Sequence, residues 1–258
     1  MPTARIRLSD YDTRAPKDLD RDKAEKITKD RVKKIADLHQ TLIAEAKHSV
    51  LIILQGMDAS GKDGAMRKVF GECAPYGLRT YSFKKPTDLE FAHDFLWRIH
   101  RHVPAKGEMV IFNRSHYEDI LIQRVHGWID ETRVQQRMAA INTFEDLLQF
   151  DGNTVILKFY LHISQDQQKE ELNQRLTNAD KYWKHNDNDW NEREHWDSYM
   201  RCYEDVLNWS KLPWHIVPVD QRWYRDYVMS GIVLETLEQL NMSYPPLETT
   251  KFAAKKGK

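Results

Sequence analysis

The sequence predicts an α/β fold, a three-layer sandwich in which a parallel β-sheet lies between two layers of helices. Three observations predict it. Short apolar runs recur along the chain, each separated from the next by a segment whose apolar residues follow helical spacing. Alternation of that kind builds a parallel sheet covered on both faces. An early apolar run ends in a glycine-rich turn, Gly56-Met57-Asp58-Ala59-Ser60-Gly61-Lys62, and a later one ends in a polar cluster, Asn113-Arg114-Ser115-His116. In a sheet of this type, such loops meet at the carboxyl ends of the strands.

The elements follow in order. Residues 1–20 are polar and irregular, with Pro2 and Pro16. Arg21 to Lys47 is highly charged, but Ile27, Val32, Ile35, Leu38 and Leu42 mark a helix with one apolar stripe. Val50–Leu54 is a buried strand, and a helix starts at Lys62. Leu78–Phe83 is a strand, Asp88–His100 a helix, and Glu108–Phe112 another strand. Glu118 opens a helix, and Glu131–Phe150 forms the next. Thr154–Leu161 is a strand, and Ser164 with Gln167 three places on makes a capping box for a helix over Gln165–Leu176. A helix near Glu192–Asn208, a strand at His215–Val219 and a closing helix over Trp223–Leu240 complete the fold. No internal repeat is found. Residues 1–247 read as one domain, with a helical extension at about 21–47 and a lid at about 165–191; 248–258, after Pro245-Pro246, read as a disordered tail.

Composition narrows the function classes. A chain of 258 residues can bury one large core. Lys plus Arg and Asp plus Glu balance at 39 each, so no global field draws the chain to nucleic acid or membrane, and an anionic ligand needs a local basic patch. No apolar stretch approaches the roughly 20 residues that span a bilayer, and no signal-peptide core is present. Cys73 and Cys202 have neither disulfide-framework nor zinc-site spacing. The expected compartment is the cytoplasm.

The glycine-rich turn carries the strongest chemical signal. A strand delivers the chain into a loop whose backbone N–H groups point inward, a helix adds its positive N-terminal end, and Lys62 supplies a point charge for phosphate oxygens. The loop residues Gly56, Ala59, Ser60, Gly61, Asp63 and Gly64 are therefore expected to cradle phosphate. Asp63 stands where such loops usually have the Ser or Thr that holds Mg²⁺, and Asp58 is an acid inside the loop. A bare carboxylate would repel a phosphate, so Asp58 is the expected metal ligand. The alternative reading is a strand–turn–helix corner with incidental glycines.

The second cluster, Phe112 to Asp119, follows a strand. Arg114 is a fork-shaped donor suited to phosphate oxygens, flanked by Asn113 and, one helical turn on, Glu118. The alternative for Arg114 is a core ion pair, and His116 reads as structural. Downstream, Arg67, Lys68 and Arg124 would form a basic track for a polyanion, or else solvated helix faces. Arg175 and the stretch Asp180–Asn191 carry few aliphatics and read as a mobile lid. Within it, Tyr182, Trp183 or Trp190 would stack on a base or simply pack. Asp187-x-Asp189-x-Asn191 lacks the glycine of a calcium loop, having Glu192 there, and is rejected. His100-Arg101-His102 is a weak metal signal.

Gly56-x-Asp58-x-x-Gly61-Lys62-Asp63-Gly64, taken with Phe112-Asn113-Arg114-Ser115-His116-Tyr117-Glu118-Asp119, resembles the type-2 polyphosphate kinases. Lys85-Pro86-Thr87, Leu96-Trp97-Arg98, Leu157-Lys158-Phe159, Leu161-His162-Ile163-Ser164, Trp183-Lys184 and Trp223-Tyr224-Arg225 extend the resemblance over about residues 25–247. It implies a P-loop kinase-like fold similar to thymidylate kinases, with a helical lid. It also implies transfer, dependent on Mg²⁺ with Mn²⁺ as a substitute, between inorganic polyphosphate and adenine or guanine nucleotides, by a homo-oligomer. Position by position, Asp58 and Lys62 match the loop acid and lysine, Arg114 the arginine of the second motif, and Arg175 a lid arginine. Asn113 and Glu118 resemble the pair of class III, which accepts AMP as well as ADP. On that reading Glu118 orients a metal-bound water or ion near the acceptor phosphate. Two other functions remain open: an ATP-dependent nucleotide or nucleoside kinase, and a non-catalytic polyanion- or nucleotide-binding protein.

Overall fold

A computed structural model describes residues 5–248. The tail expected to be disordered lies outside the described residues apart from Glu248, as does Pro2. After a 3-10 turn at Leu8–Asp10, the elements run α1 (Arg21–Glu45), β1 (Ser49–Gln55), α2 (Lys62–Phe70), β2 (Leu78–Ser82), α3 (Asp88–Phe91), α4 (Trp97–His100), β3 (Met109–Asn113), α5 (Glu118–Val125), α6 (Glu131–Phe150), β4 (Thr154–His162), α7 (Gln165–Thr177), a 3-10 turn (Ala179–Lys184), α8 (Asn188–Glu194), α9 (Trp196–Trp209), β5 (Trp214–Pro218) and α10 (Arg222–Gln239).

All five strands are parallel, in the order β2-β3-β1-β4-β5. β1 lies at the centre, and all seven of its residues are buried, as an unbroken aliphatic run between two neighbours requires. From β1 the chain moves outward to β2; from β3 it returns past β1 to β4 and then β5. Right-handed crossovers in these opposite directions place the helices on opposite faces. Accordingly α1, α2 and α10 pack together as one group, while α5 packs on α6 and α9 in another. The apolar stripe of α1 buries Val32, Ile35 and Leu42, with Ile27 and Leu38 half-buried.

Two expected helices are interrupted. The Asp88–His100 segment forms α3 and α4, because the Asp94 carboxylate accepts from the Leu96 and Trp97 N–H groups at 2.9 and 3.1 Å and restarts the helix. The Glu192–Asn208 segment divides at His195 into α8 and α9, with α8 beginning earlier than expected, at Asn188. Ser164 accepts from Gln167 N–H as expected, and Thr87 with Glu90 forms a complete capping box at α3. Among the described residues, no helix is long and apolar enough to cross a membrane.

The return of the chain across β1 decides where the site lies. β1 and β3 are direct neighbours, with Leu54 opposite Asn113. Both polar loops therefore leave the sheet side by side, and the Arg114 N–H donates to Leu54 O at 3.0 Å.

Candidate active site

The loop after β1 turns on two glycines. At Gly56 (φ 149°) a Cβ would lie 2.7 Å from Leu161 O of β4, and at Gly61 (φ 88°) it would lie 2.4 Å from the Arg222 guanidinium. Only glycine fits both places. Ala59, at φ 65°, takes a left-handed conformation without that freedom, a local strain set in the middle of the loop. Lys62 folds back over the turn, its ammonium donating to Gly56 O at 2.7 Å and Met57 O at 3.1 Å. Burial, aided by the like charge of Arg114, pulls its pKa from 10.5 down to about 8 against the opposing pull of Asp58. The N-terminus of α2 has no side-chain cap, so its first N–H groups stay open toward the cavity that Lys62 and Asp63 line.

The loop after β3 supplies the facing wall. Arg114 stands in the left-handed region (φ 63°), which turns its side chain back across the strand ends. It forms ion pairs with Asp58 and, at 3.2 Å, with Glu118. The Glu118 charge, with Asp58 adding to it, keeps the guanidinium firmly protonated. Burial alone would raise the Asp58 pKa; Arg114, then Lys62, outweigh it and hold the carboxyl below the usual range. Asn113 donates to Asp63 at 2.8 Å, tying the two loops together. With its amide assigned to suit its neighbours, Gln55 donates to the other Glu118 oxygen at 2.8 Å.

Beneath Arg114, the segment Ser115-His116-Tyr117 is anchored in the core. Lys158 of β4 donates to Glu145 at 2.7 Å and to the Tyr117 hydroxyl at 2.8 Å, and Tyr117 donates to Glu145 at 2.8 Å. His116 lies 3.3 Å from the same carboxylate, and all four side chains are buried. The structural role expected for His116 is what the geometry gives it.

A third wall comes from the far end of the chain. On α10, Arg222 donates to Ser60 O at 2.7 Å and Ala59 O at 2.9 Å, and Arg225 donates to Gly61 O at 2.9 Å. These guanidiniums occupy the space that a side chain at Gly61 would take. Asp226 holds Arg225 in place at 2.6 Å, and Glu171 of α7 pairs with Arg222 at 3.0 Å. From the segment expected to form the lid, Arg175, Lys181 and Lys184 reach the same cavity. Arg175 is fixed by Asp189, and Lys184 sits 3.8 Å from Asp63.

The open cavity between these walls has a volume of about 610 Å³. Nine Lys and Arg side chains line it against four Asp and Glu, so a chain of zero net charge concentrates positive charge here. The structure brings Asp58, Ala59, Gly61, Lys62, Asp63, Gly64, Arg67, Lys68, Asn113, Arg114 and Arg175 to its wall. Gly56 and Ser60 are buried within the loop and shape it from beneath. Glu118 does not line the cavity; it stands behind Arg114, both oxygens engaged.

Arg124 does not join the expected basic track. It lies in the last turn of α5, which faces α6 and α9, and there it binds Glu131 at 2.6 and 2.8 Å and Asp205 at 2.9 Å. Tyr182 and Trp183 are exposed, and neither they nor Trp190 line the cavity. His102 stacks on Tyr81, which disposes of the histidine pair as a metal signal. Sequence reasoning did not assign Arg222 or Asp226, gave Arg225 only as part of a quoted motif, and took Glu171, Lys181 and Lys184 only as members of the lid segment, with no site role of their own. For α10 the local signal was a first turn with no acid, where acids are favoured.

Among the described residues, no group of three or more His, Cys, Asp or Glu side chains is placed to hold a metal ion. Asp58, ionised and at the cavity wall, is the carboxylate best placed to contribute one ligand, with the exposed Asp63 beside it.

Comparison with known proteins agrees with this geometry. The sequence profile of the family Polyphosphate kinase 2 (PPK2) matches residues 18–245. A relative from Meiothermus ruber named AMP/ADP-polyphosphate phosphotransferase is 46% identical over 220 residues, 84% of this chain and 82% of its own length. The ADP-polyphosphate phosphotransferase of Rhodopseudomonas palustris is 39% identical over 239 residues, 87% of this chain and 82% of its own. The crystal structure of polyphosphate kinase 2 from Arthrobacter aurescens TC1 superposes with a TM-score of 0.92 at 37% identity, covering 98% of this chain and 91% of that one. With a strand–loop–helix phosphate cradle, a cation-lined cavity and a family match over most of its length, this chain belongs to the polyphosphate kinase 2 family.

Proposed function

We propose that the protein transfers the terminal phosphoryl group of inorganic polyphosphate to AMP and to ADP, and runs the reverse reaction, by in-line displacement at the loop after β1. The observation that carries this reading is the cavity wall: nine cationic side chains gathered around the uncapped N-terminus of α2. The names of the relatives give the donor and acceptor classes.

In the reaction, an oxygen of the acceptor phosphate attacks the terminal phosphorus. The bond to the bridging oxygen breaks, and the polyphosphate leaves one phosphate shorter. Phosphoryl transfer asks the protein for alignment and charge neutralisation rather than covalent chemistry. Lys62 and the N–H groups of α2 bind the phosphate oxygens. Arg114, fixed by Glu118, faces the charge that gathers during transfer. Arg222 and Arg225 hold the loop carbonyls so that its N–H groups stay aimed inward. Arg175 and Lys184 approach from α7 and the turn after it and help exclude water.

A single ionised carboxylate fits Mg²⁺, with Mn²⁺ as a substitute, because Mg²⁺ keeps several waters and takes one or two carboxylates plus substrate phosphates. Asp58 would hold it, and the ion would neutralise phosphate charge next to the transferred group. The test is a donor comparison: purified protein with Mg²⁺ and each of AMP, ADP, GMP and GDP, supplied with polyphosphate or ATP. Nucleoside di- and triphosphates form from polyphosphate on this reading; turnover with ATP alone as donor would replace it with an ATP-dependent kinase.

A further inference from the structure

The loop from Gly56 to Gly61 is held by its carbonyl oxygens. Lys62 donates to those of Gly56 and Met57, Arg222 to those of Ala59 and Ser60, and Arg225 to that of Gly61. The Asp58 carbonyl, in the middle of the row, accepts from the side chain of Gln168 of α7 at 3.0 Å. With every carbonyl taken, the N–H groups of Asp58, Ala59 and Gly61 donate to no acceptor among the described residues.

Gln168 differs from the other donors in being uncharged, and it is 1% exposed. Its amide orientation is forced. Arg193 of α8 donates at 2.8 Å to Oε1, and a guanidinium can only donate; Nε2 therefore faces the Asp58 carbonyl, which can only accept. Neither an apolar side chain nor a carboxylate can join those two groups. Asp189, one turn before Arg193 on α8, fixes Arg175 at the cavity wall, so α8 sets Arg175 and Gln168 together.

The Asp58 carbonyl matters because it shares a peptide plane with the Ala59 N–H, and the two point in opposite directions. Turning that plane changes φ at Ala59, which stands at 65°, in the left-handed region where a side chain is strained. Left alone, the peptide would turn to relieve Ala59 and carry its N–H away from the cavity that Ala59 lines. Among the described residues, Gln168 supplies the one hydrogen bond that opposes this turn at the Asp58 oxygen.

Resting on the phosphotransferase reading above, we propose that Gln168 is a positioning residue for phosphoryl transfer. Through the Asp58 carbonyl it keeps the Ala59 N–H aimed at the substrate phosphate, and Arg193 presets its amide for that task.

The test compares wild type with Gln168→Met, Gln168→Glu, Arg193→Met and the double variant Gln168→Met/Arg193→Met, using polyphosphate and ADP, with Tm measured on each. Both Gln168 variants lower kcat about 10- to 100-fold, the cost of a small misalignment, and leave KM for both substrates within about threefold. Gln168→Glu loses as much as Gln168→Met although it keeps an acceptor for Arg193; a role confined to packing or to that pair would spare it. Arg193→Met alone lowers kcat about threefold or more, and in the Gln168→Met background by less than about twofold, because it acts through the amide. A kcat within about threefold of wild type in either Gln168 variant overturns the role, as does an Arg193→Met effect that multiplies with that of Gln168→Met. Should neither Gln168 variant fold, Arg193→Met at its half-exposed position decides, and an unchanged kcat overturns the proposal. Absence of wild-type turnover with polyphosphate overturns the functional reading itself, a distinct result.

Discussion

Replacing Lys62 by methionine separates catalysis from folding, because the structure sets the two effects against each other. Lys62 is buried, and its pKa falls from 10.5 to about 8. Because the folded pKa lies below the unfolded one, the cost of charging it is fully present below about pH 8 and is relieved as pH rises toward 10.5. That difference corresponds to about 3 kcal/mol. Methionine has nearly the same length and removes this cost. It also removes donation to Gly56 O and Met57 O at 2.7 and 3.1 Å, charged bonds worth about 1.5–3 kcal/mol each. The net destabilisation is about 0–3 kcal/mol, a fall in Tm of no more than about 10 °C. Loss of one preorganised charge at the transferred group, in contrast, lowers kcat by about 10²- to 10³-fold. Calorimetry and initial-rate measurement at 25 °C on the same preparation read both quantities. A folded Lys62→Met protein within about threefold of wild-type kcat would refute the placement of catalysis at this loop.

Three further outcomes follow from the geometry. In the free enzyme only protonated Lys62 meets phosphate as a cation, so kcat/KM falls as pH rises above about 8; Lys62→Arg, which does not titrate there, abolishes that limb of the pH profile. Glu118 pairs with Arg114 and does not line the cavity, so Glu118→Asn lowers turnover about tenfold or more with AMP and ADP alike, whereas a loss confined to AMP would place the carboxylate on the acceptor. Lys158→Met leaves the buried Glu145 without its ammonium partner and costs about 3–5 kcal/mol in thermal unfolding; Lys158→Met combined with Glu145→Leu recovers most of it, and a double variant no more stable than the single one would show that the pair itself stabilises the fold.

What the sequence made legible was contiguous in the chain. Val50–Leu54 and the loop after it read as a phosphate cradle because strand, glycines, lysine and helix follow one another, and each side chain is committed by its immediate neighbours. Arg114 was legible for the same reason, since it leaves a strand that must lie beside β1. Arg222 and Arg225 were not, because they grip the loop from 162 and 164 positions away and nothing local marks a helix as lying over a distant turn. Arg124 shows the converse error. Its closeness in sequence to Arg114 suggested a shared track, but the last turn of α5 directs it to Glu131 and Asp205. The ion pair of Glu118 with Arg114 was not legible either, because the left-handed backbone at Arg114 is invisible to pattern reading. The break at His93–Asp94 was concealed by a run of helical spacing that a single capping carboxylate interrupts.

The most direct test of the account is the stoichiometry of transfer with no ATP present. Purified protein is mixed with polyphosphate, Mg²⁺ and AMP, and nucleotides and terminal phosphates are followed together by chromatography and ³¹P NMR. The account predicts that ADP appears first and ATP after it, with one phosphate lost from polyphosphate for each phosphoanhydride bond gained by nucleotide, and that Asp58→Ala and Lys62→Met slow both changes together, by about 10²-fold or more. Nucleotide left as AMP while the wild-type protein still binds polyphosphate would contradict it.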